Sequence, residues 1–154
     1  MARAAILFSI YALVSTLGNV LLGAATGLGF ASVKVHAWAA VPSNVLALFA
    51  WTFVAMYFMG AHAWVKAAVA EGLCDASRID EASALRQGVL PWIAAAVLAL
   101  IAAYVIGGGA DTRAVPPVVH LALALIALFL HLVATYRTIV FVGMALDLQD
   151  AIDG

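Results

Sequence analysis

Four long stretches of this chain contain no Asp, Glu, Lys or Arg, and they constrain its fold more than any other feature. They run over Ala4–Val33, Val35–Val65, Gln87–Ala110 and Ala114–Tyr136. A helix needs about 20 apolar residues to cross the hydrocarbon of a bilayer. Each stretch is long enough for one crossing and too short for two helices with a turn between them. Over the 154 residues, 67% are hydrophobic and 10% charged, against about 25% charged in a soluble domain. Such a chain lacks the polar side chains to cover a water-facing surface. The sequence therefore predicts an all-α, polytopic membrane protein, a bundle of four transmembrane helices forming one integral membrane domain over residues 1–154. The expected spans are 5–30, 39–66, 88–107 and 117–146.

The punctuation between the spans agrees. Gly27, Gly29 and Ser32 precede Lys34 and His36 and mark a short turn. Gly72 suits a helix stop. Gly107, Gly108 and Gly109 are expected to break the third helix, and Pro116 and Pro117 suit the first turn of the fourth, where a missing N–H costs little. The most polar segment, 74–87, carries Asp75, Arg78, Asp80, Glu81 and Arg86, with Ile79, Ala82 and Leu85 at helical spacing. That pattern predicts an amphipathic inner loop helix lying along the membrane surface. The second and fourth helices are long enough to project beyond the bilayer, ahead of an acidic tail of Asp147, Asp150 and Asp153.

Lys and Arg placement sets the expected orientation. Arg3, Lys66, Arg78, Arg86 and Arg137 fall on one side, Lys34 and Arg113 on the other. This predicts a multi-pass protein of a cell (inner) membrane with both termini cytoplasmic. The first apolar run exceeds the 7–15-residue core of a signal peptide, so it is expected to remain as a span.

The layout also reads as two hairpins in series. His36 and His120 each open the second helix of a hairpin, 84 positions apart, and Phe58-Met59-Gly60 is matched by Phe141-Val142-Gly143 83 positions later. Two tandem hairpins would form a parallel repeat.

Two constellations carry what chemistry the sequence offers. On the first helix, Tyr11, Ser15, Asn19, Gly23, Gly27 and Ala31 recur at every fourth position. Four-residue steps hold them on one face. Small residues there let another helix approach closely, and Asn19 can hydrogen-bond across the contact. That partner is either a helix of the same bundle or another subunit. The histidines form the second constellation. An ionisable group inside a span is a functional candidate by default. His36 and His120 fall near the same end of the second and fourth helices, and would meet if those helices were neighbours, holding one b-type haem between two imidazoles. His131 follows His120 by close to three helical turns, about 16 Å along the axis, and joins them as a candidate haem ligand. His62 falls near the inner end of the second helix.

Much else is excluded. Cys74 is the single cysteine, so there is no internal disulfide and no cysteine-ligated cluster. No histidines stand at His-x-x-His or His-x-x-x-His spacing, which leaves no metal site beyond haem iron. No span holds a carboxylate, there is no phosphate-binding loop or nucleophile elbow, and no basic excess suggests nucleic acid. The chain is expected not to be an enzyme on its own. The leading expectation is a non-catalytic subunit of a membrane complex, assembled through small-residue helix packing, with the lipid bilayer and other membrane subunits or further copies of itself as partners. The alternatives are an electron-transfer subunit holding haem b and a small oligomeric transporter or channel. Trp38, Trp64 and Trp92 fall near span ends, where indole rings favour the headgroup region. Trp51, in mid-span, is expected to be buried or to face lipid.

Overall fold

A computed structural model describes residues 1–111 and 114–153. Arg113, counted among the turn cations, and the side chain of Asp153 in the acidic tail lie outside what it describes. Four helices account for nearly all of the described residues: α1 (Ala2–Gly27), α2 (Val33–Ala70), α3 (Ser77–Asp111) and α4 (Pro117–Asp153). All four are long and apolar enough to span a membrane. At 1.5 Å per residue, α2 reaches about 57 Å, nearly twice the roughly 30 Å of a hydrocarbon core.

The local reasons for these ends are visible. Gly29 and Gly72 have φ of 81° and 74°, the left-handed region that glycine enters without a Cβ penalty, and they follow the ends of α1 and α2. The Ser32 hydroxyl caps α2 by accepting from the Val35 N–H at 3.3 Å. Pro117 is the first residue of α4. Pro42 and Pro91 are carried inside α2 and α3.

Two expectations are corrected. The glycines at 107–109 do not break α3, which continues to Asp111. Neighbouring helices, rather than intrinsic propensity, supply most helical stability, and here Gly107 and Gly109 pack closely on side chains of α4 and the turn before it. The amphipathic segment is not a separate surface helix either. From Ser77 onward it forms the first turns of α3. Its apolar face meets α2 and α4: Ala82 and Leu85 are buried with Val65, Ala145 and Leu148, and Ile79 packs against them. Among the described residues, none of α1 joins this cluster, so three helices continue past the start of α1 as a smaller head.

Around the bundle, α1 packs on α2 and α4, and α3 packs on α2 and α4. The helices α2 and α4 are not neighbours, as the haem reading of the sequence supposed, but opposite corners that approach each other across the centre. Among the described residues, α1 and α3 have no such contact, so theirs is the long diagonal.

The two hairpins match at one constant offset, the interval from His36 to His120. Gly27 and Asp111 end the first helix of each hairpin, and Val33 and Pro117 begin the second. The Phe30 N–H donates to the Ala25 carbonyl at 2.8 Å, and at the same offset the Ala114 N–H donates to the Gly109 carbonyl at 2.8 Å. This offset pairs buried Phe58 with buried Val142, not with Phe141 as the tripeptide match suggested.

The interior is built from small residues. Ala5, Ala12, Ala47, Ala50, Ala96 and Ala134 are buried around Trp51, Val54 and Phe58, while Leu7, Val14, Phe49, Met56, Leu98, Phe129 and Leu132 point outward. Large apolar side chains outside and small ones inside suit helices that meet by close packing in lipid. Trp51 is buried, the first of the two environments expected of it, and Trp38 is exposed. Arg137 lies over the rings of Trp92 and Phe141, at 5.6 and 5.9 Å, a cation held against aromatic faces.

Candidate functional site

The stripe on α1 is used within the chain. The Ser15 hydroxyl donates to the Ser43 carbonyl at 3.2 Å. The Asn19 amide donates to the Ser43 hydroxyl at 2.6 Å and to Asn44 Oδ1 at 3.3 Å. Ser43 in turn donates to the Ala39 carbonyl at 2.7 Å. Gly23 packs against the ring of His36. Apart from the Ser43–Ala39 bond, which lies within α2, these contacts join α1 to α2, so Ser15, Asn19 and Gly23 close the first hairpin. Gly27, the last residue of α1, has no described atom within 4 Å of where its Cβ would be. Ala31 lies beyond the helix in the turn and is not part of a helical face.

The histidines separate into three environments. His62, near the far end of α2, is 3.1 Å from the Ser83 hydroxyl of α3, a link within the three-helix head. His131 is fully buried in α4. Its Nδ1 lies 2.8 Å from the Ala127 carbonyl. A carbonyl only accepts, so Nδ1 carries the proton and Nε2 the lone pair. The Trp51 ring meets the His131 ring edge-on, centroids 5.7 Å apart. Among the described residues, neither Trp51 Nε1 nor His131 Nε2 has a hydrogen-bond partner, yet one is a donor and the other an acceptor.

His36 and His120 form the third environment. They come from the opposite helices α2 and α4, each in the first turns of its helix, and their ring centroids are 6.2 Å apart. Each ring lies against a glycine on the preceding helix of its own hairpin. A Cβ on Gly107 would come within 2.8 Å of His120 Cε1, and one on Gly23 within 3.2 Å of His36 Cε1. His120 Nδ1 is 3.0 Å from the Ala103 carbonyl of α3. By the same reasoning as for His131, Nδ1 donates and the lone pair sits on Nε2. A backbone carbonyl holding the far nitrogen of an imidazole is the usual support for a metal-binding histidine.

Packing around this pair is loose. The buried core stops at Thr16 on α1, Ala40 on α2, Ala103 on α3 and Ala127 on α4. Among the described residues of 17–39 and 104–126, none is buried. The paired imidazoles thus occupy an end of the bundle where the four helices do not close on one another.

Two imidazoles whose nitrogens approach a shared metal from opposite sides, each about 2 Å away, have centroids roughly 6 Å apart, and the spacing here is 6.2 Å. Two imidazoles alone do not satisfy a bare ion, which takes four or more ligands. Among the described residues there is no group of three or more His, Cys, Asp or Glu that could hold one. A haem differs because its porphyrin supplies four ligands and asks the protein for two. The donor set, the spacing and the loose packing fit that group. His131 is buried in the closed part of the bundle against Trp51 and is not the third member of this pair.

The sequence located both histidines but missed their setting. It placed Gly23 on a helix-packing stripe without its partner, which is His36, as the partner of Gly107 is His120. The signal was available: Gly23 precedes His36 by the same interval as Gly107 precedes His120. Comparison with family models, with curated proteins and with solved structures finds no match to this chain.

Proposed function

We propose that this chain is a membrane electron-transfer subunit that holds one b-type haem between His36 and His120. The observation that carries the proposal is the pairing of two imidazoles from opposite helices at 6.2 Å, in the part of the bundle where no described residue is buried. The group would supply reversible one-electron chemistry. The protein's part is to present two imidazoles, with Ala103 fixing the tautomer of His120 and Gly23 and Gly107 setting the rings. One haem is expected, not two: the position equivalent to His131 in the first hairpin is Ala47.

The Lys and Arg distribution supports an orientation with both termini in the cytoplasm, which puts the histidine pair near the opposite face. Haem addition to purified protein in detergent, followed by absorption spectra, tests the assignment. Binding should be lost in His36→Ala and His120→Ala and kept in His131→Ala. Equal binding by the unsubstituted protein and all three variants would refute it.

A non-catalytic role in a larger membrane complex is the second reading. Its support is the head formed by α2, α3 and α4, which runs past α1 and offers other subunits a surface beyond the bilayer. The two readings are compatible in one protein. A transporter or channel has less support. The buried hydroxyls of Ser9, Thr16, Thr135 and Thr138 all donate to backbone carbonyls, so they form no polar track. Tyr136 points outward, away from His131.

A further inference from the structure

Between α2 and α3, where the closed core gives way to the loosely packed end of the bundle, lies a cavity of about 140 Å³ lined by Val41, Asn44, Val45, Leu48, Leu100, Ile101 and Tyr104. We infer that it binds the head of a lipid-soluble quinone, whose tail remains in the bilayer. The purpose of such a site rests on the electron-transfer reading, but its geometry does not.

Size limits the ligand to one ring. Pockets for drug-sized ligands occupy about 300–1,000 Å³, whereas an apolar cavity of about 150 Å³ takes up benzene. Charge limits it further. Among the described residues, no Asp, Glu, Lys, Arg or His lines the cavity, so the ligand is neutral. The polar groups then specify its chemistry. Asn44 Oδ1 already accepts from Asn19, which leaves Asn44 its amide donors. The Tyr104 hydroxyl, across the cleft on α3, is a second donor, carried on a half-exposed side chain. Two donors in an otherwise apolar, lipid-side cleft call for a ligand with carbonyl acceptors on a hydrophobic frame, and a quinone head has two. An acyl chain would fill the same space without pairing either donor.

The position also suits the reading above. Tyr104 directly follows Ala103, whose carbonyl accepts from His120. A ring seated here is one residue and one hydrogen bond from the imidazole pair.

Photo-crosslinking tests the site without needing haem. The protein, in phospholipid vesicles, is illuminated with a short-chain azido-quinone and the labelled peptides are mapped. Labelling should concentrate on 41–48 and 100–104 and be displaced by unlabelled quinone of the same chain length. It should fall about tenfold in Tyr104→Phe, the loss of one hydrogen bond, and disappear in Val45→Trp, which fills the cleft. Labelling spread over the outward faces of α1 and α4, or displaced equally well by an alkyl alcohol of matching length, would overturn the inference in favour of a plain lipid groove. A protein that takes up haem but shows no site-directed labelling loses the quinone site alone. One that labels as described yet binds no haem keeps the site and loses the electron-transfer reading.

Discussion

The two halves of this bundle are made from similar helices but packed in opposite ways. Toward the chain termini, alanines from all four helices close around Trp51, Val54 and Phe58, and the polar side chains buried there mostly return their hydrogen bonds to backbone carbonyls. Toward the two hairpin turns, burial ceases after Ala40 and Ala103, and two imidazoles face each other between glycines. In lipid, helices gain little from simply being apolar, and they associate through close contact. A half that forgoes close contact while holding ionisable groups leaves room for something else. The closed half holds the bundle together, and the open half is where the proposed site lies.

That contrast can be broken most directly at the large side chains. In the closed half, Trp51→Ala should cost about 3–5 kcal/mol, the usual range for emptying a buried aromatic position, and lower the melting temperature in detergent markedly. In the open half, Trp38→Ala removes an exposed ring and should leave the melt nearly unchanged. Comparable losses at both positions would contradict the division.

A smaller effect sharpens the comparison inside one glycine run. Gly107→Ala places a methyl against His120, while Gly108 has no described atom within 4 Å of the same position. Overpacking of this kind costs about 1–3 kcal/mol, and here it should appear as weakened haem binding and an altered haem spectrum. Gly108→Ala should leave the spectrum unchanged and stabilise the helix by up to about 1 kcal/mol.

The smallest effect expected is at Asn19→Ala. Hydrogen bonds between membrane helices average about 0.6 kcal/mol, and the two that Asn19 makes to Ser43 and Asn44 should sum to roughly 1 kcal/mol in a detergent melt. Because Asn19 joins α1 to α2 within the chain, the oligomeric state should not change. Dissociation of a larger assembly in Asn19→Ala would instead restore the stripe as an interface between subunits.

Legibility in the sequence follows the same division. Charge-free length marks a helix in lipid because nothing else satisfies a backbone there, so all four helices were legible. Their ends were less so. The glycine run at 107–109 resembles a break, but the fit of Gly107 to His120 and Gly109 to Val115 depends on α4, which no local pattern reveals. The polar segment before Gly88 resembled a surface helix because its apolar face is short. Its true neighbours, Val65, Ala145 and Leu148, include residues far away in sequence. At the site, the histidines were legible as ionisable groups inside spans, and their shared end followed from counting. That they face each other across a diagonal was not legible, because apolar faces toward lipid and toward another helix look alike. The offset between the hairpins held the missing information: it places His36 with His120 and Gly23 with Gly107, and so assigns the glycines to the imidazoles.

The central claim is that one iron is shared by His36 and His120. Low-temperature electron paramagnetic resonance of the oxidised protein, after haem addition, tests it directly. The expected result is a low-spin ferric signal of iron held by two imidazoles, converting to a high-spin signal when either His36 or His120 is replaced by alanine and unaffected by His131→Ala. A protein that shows no iron signal, or one whose signal survives both replacements, would contradict it.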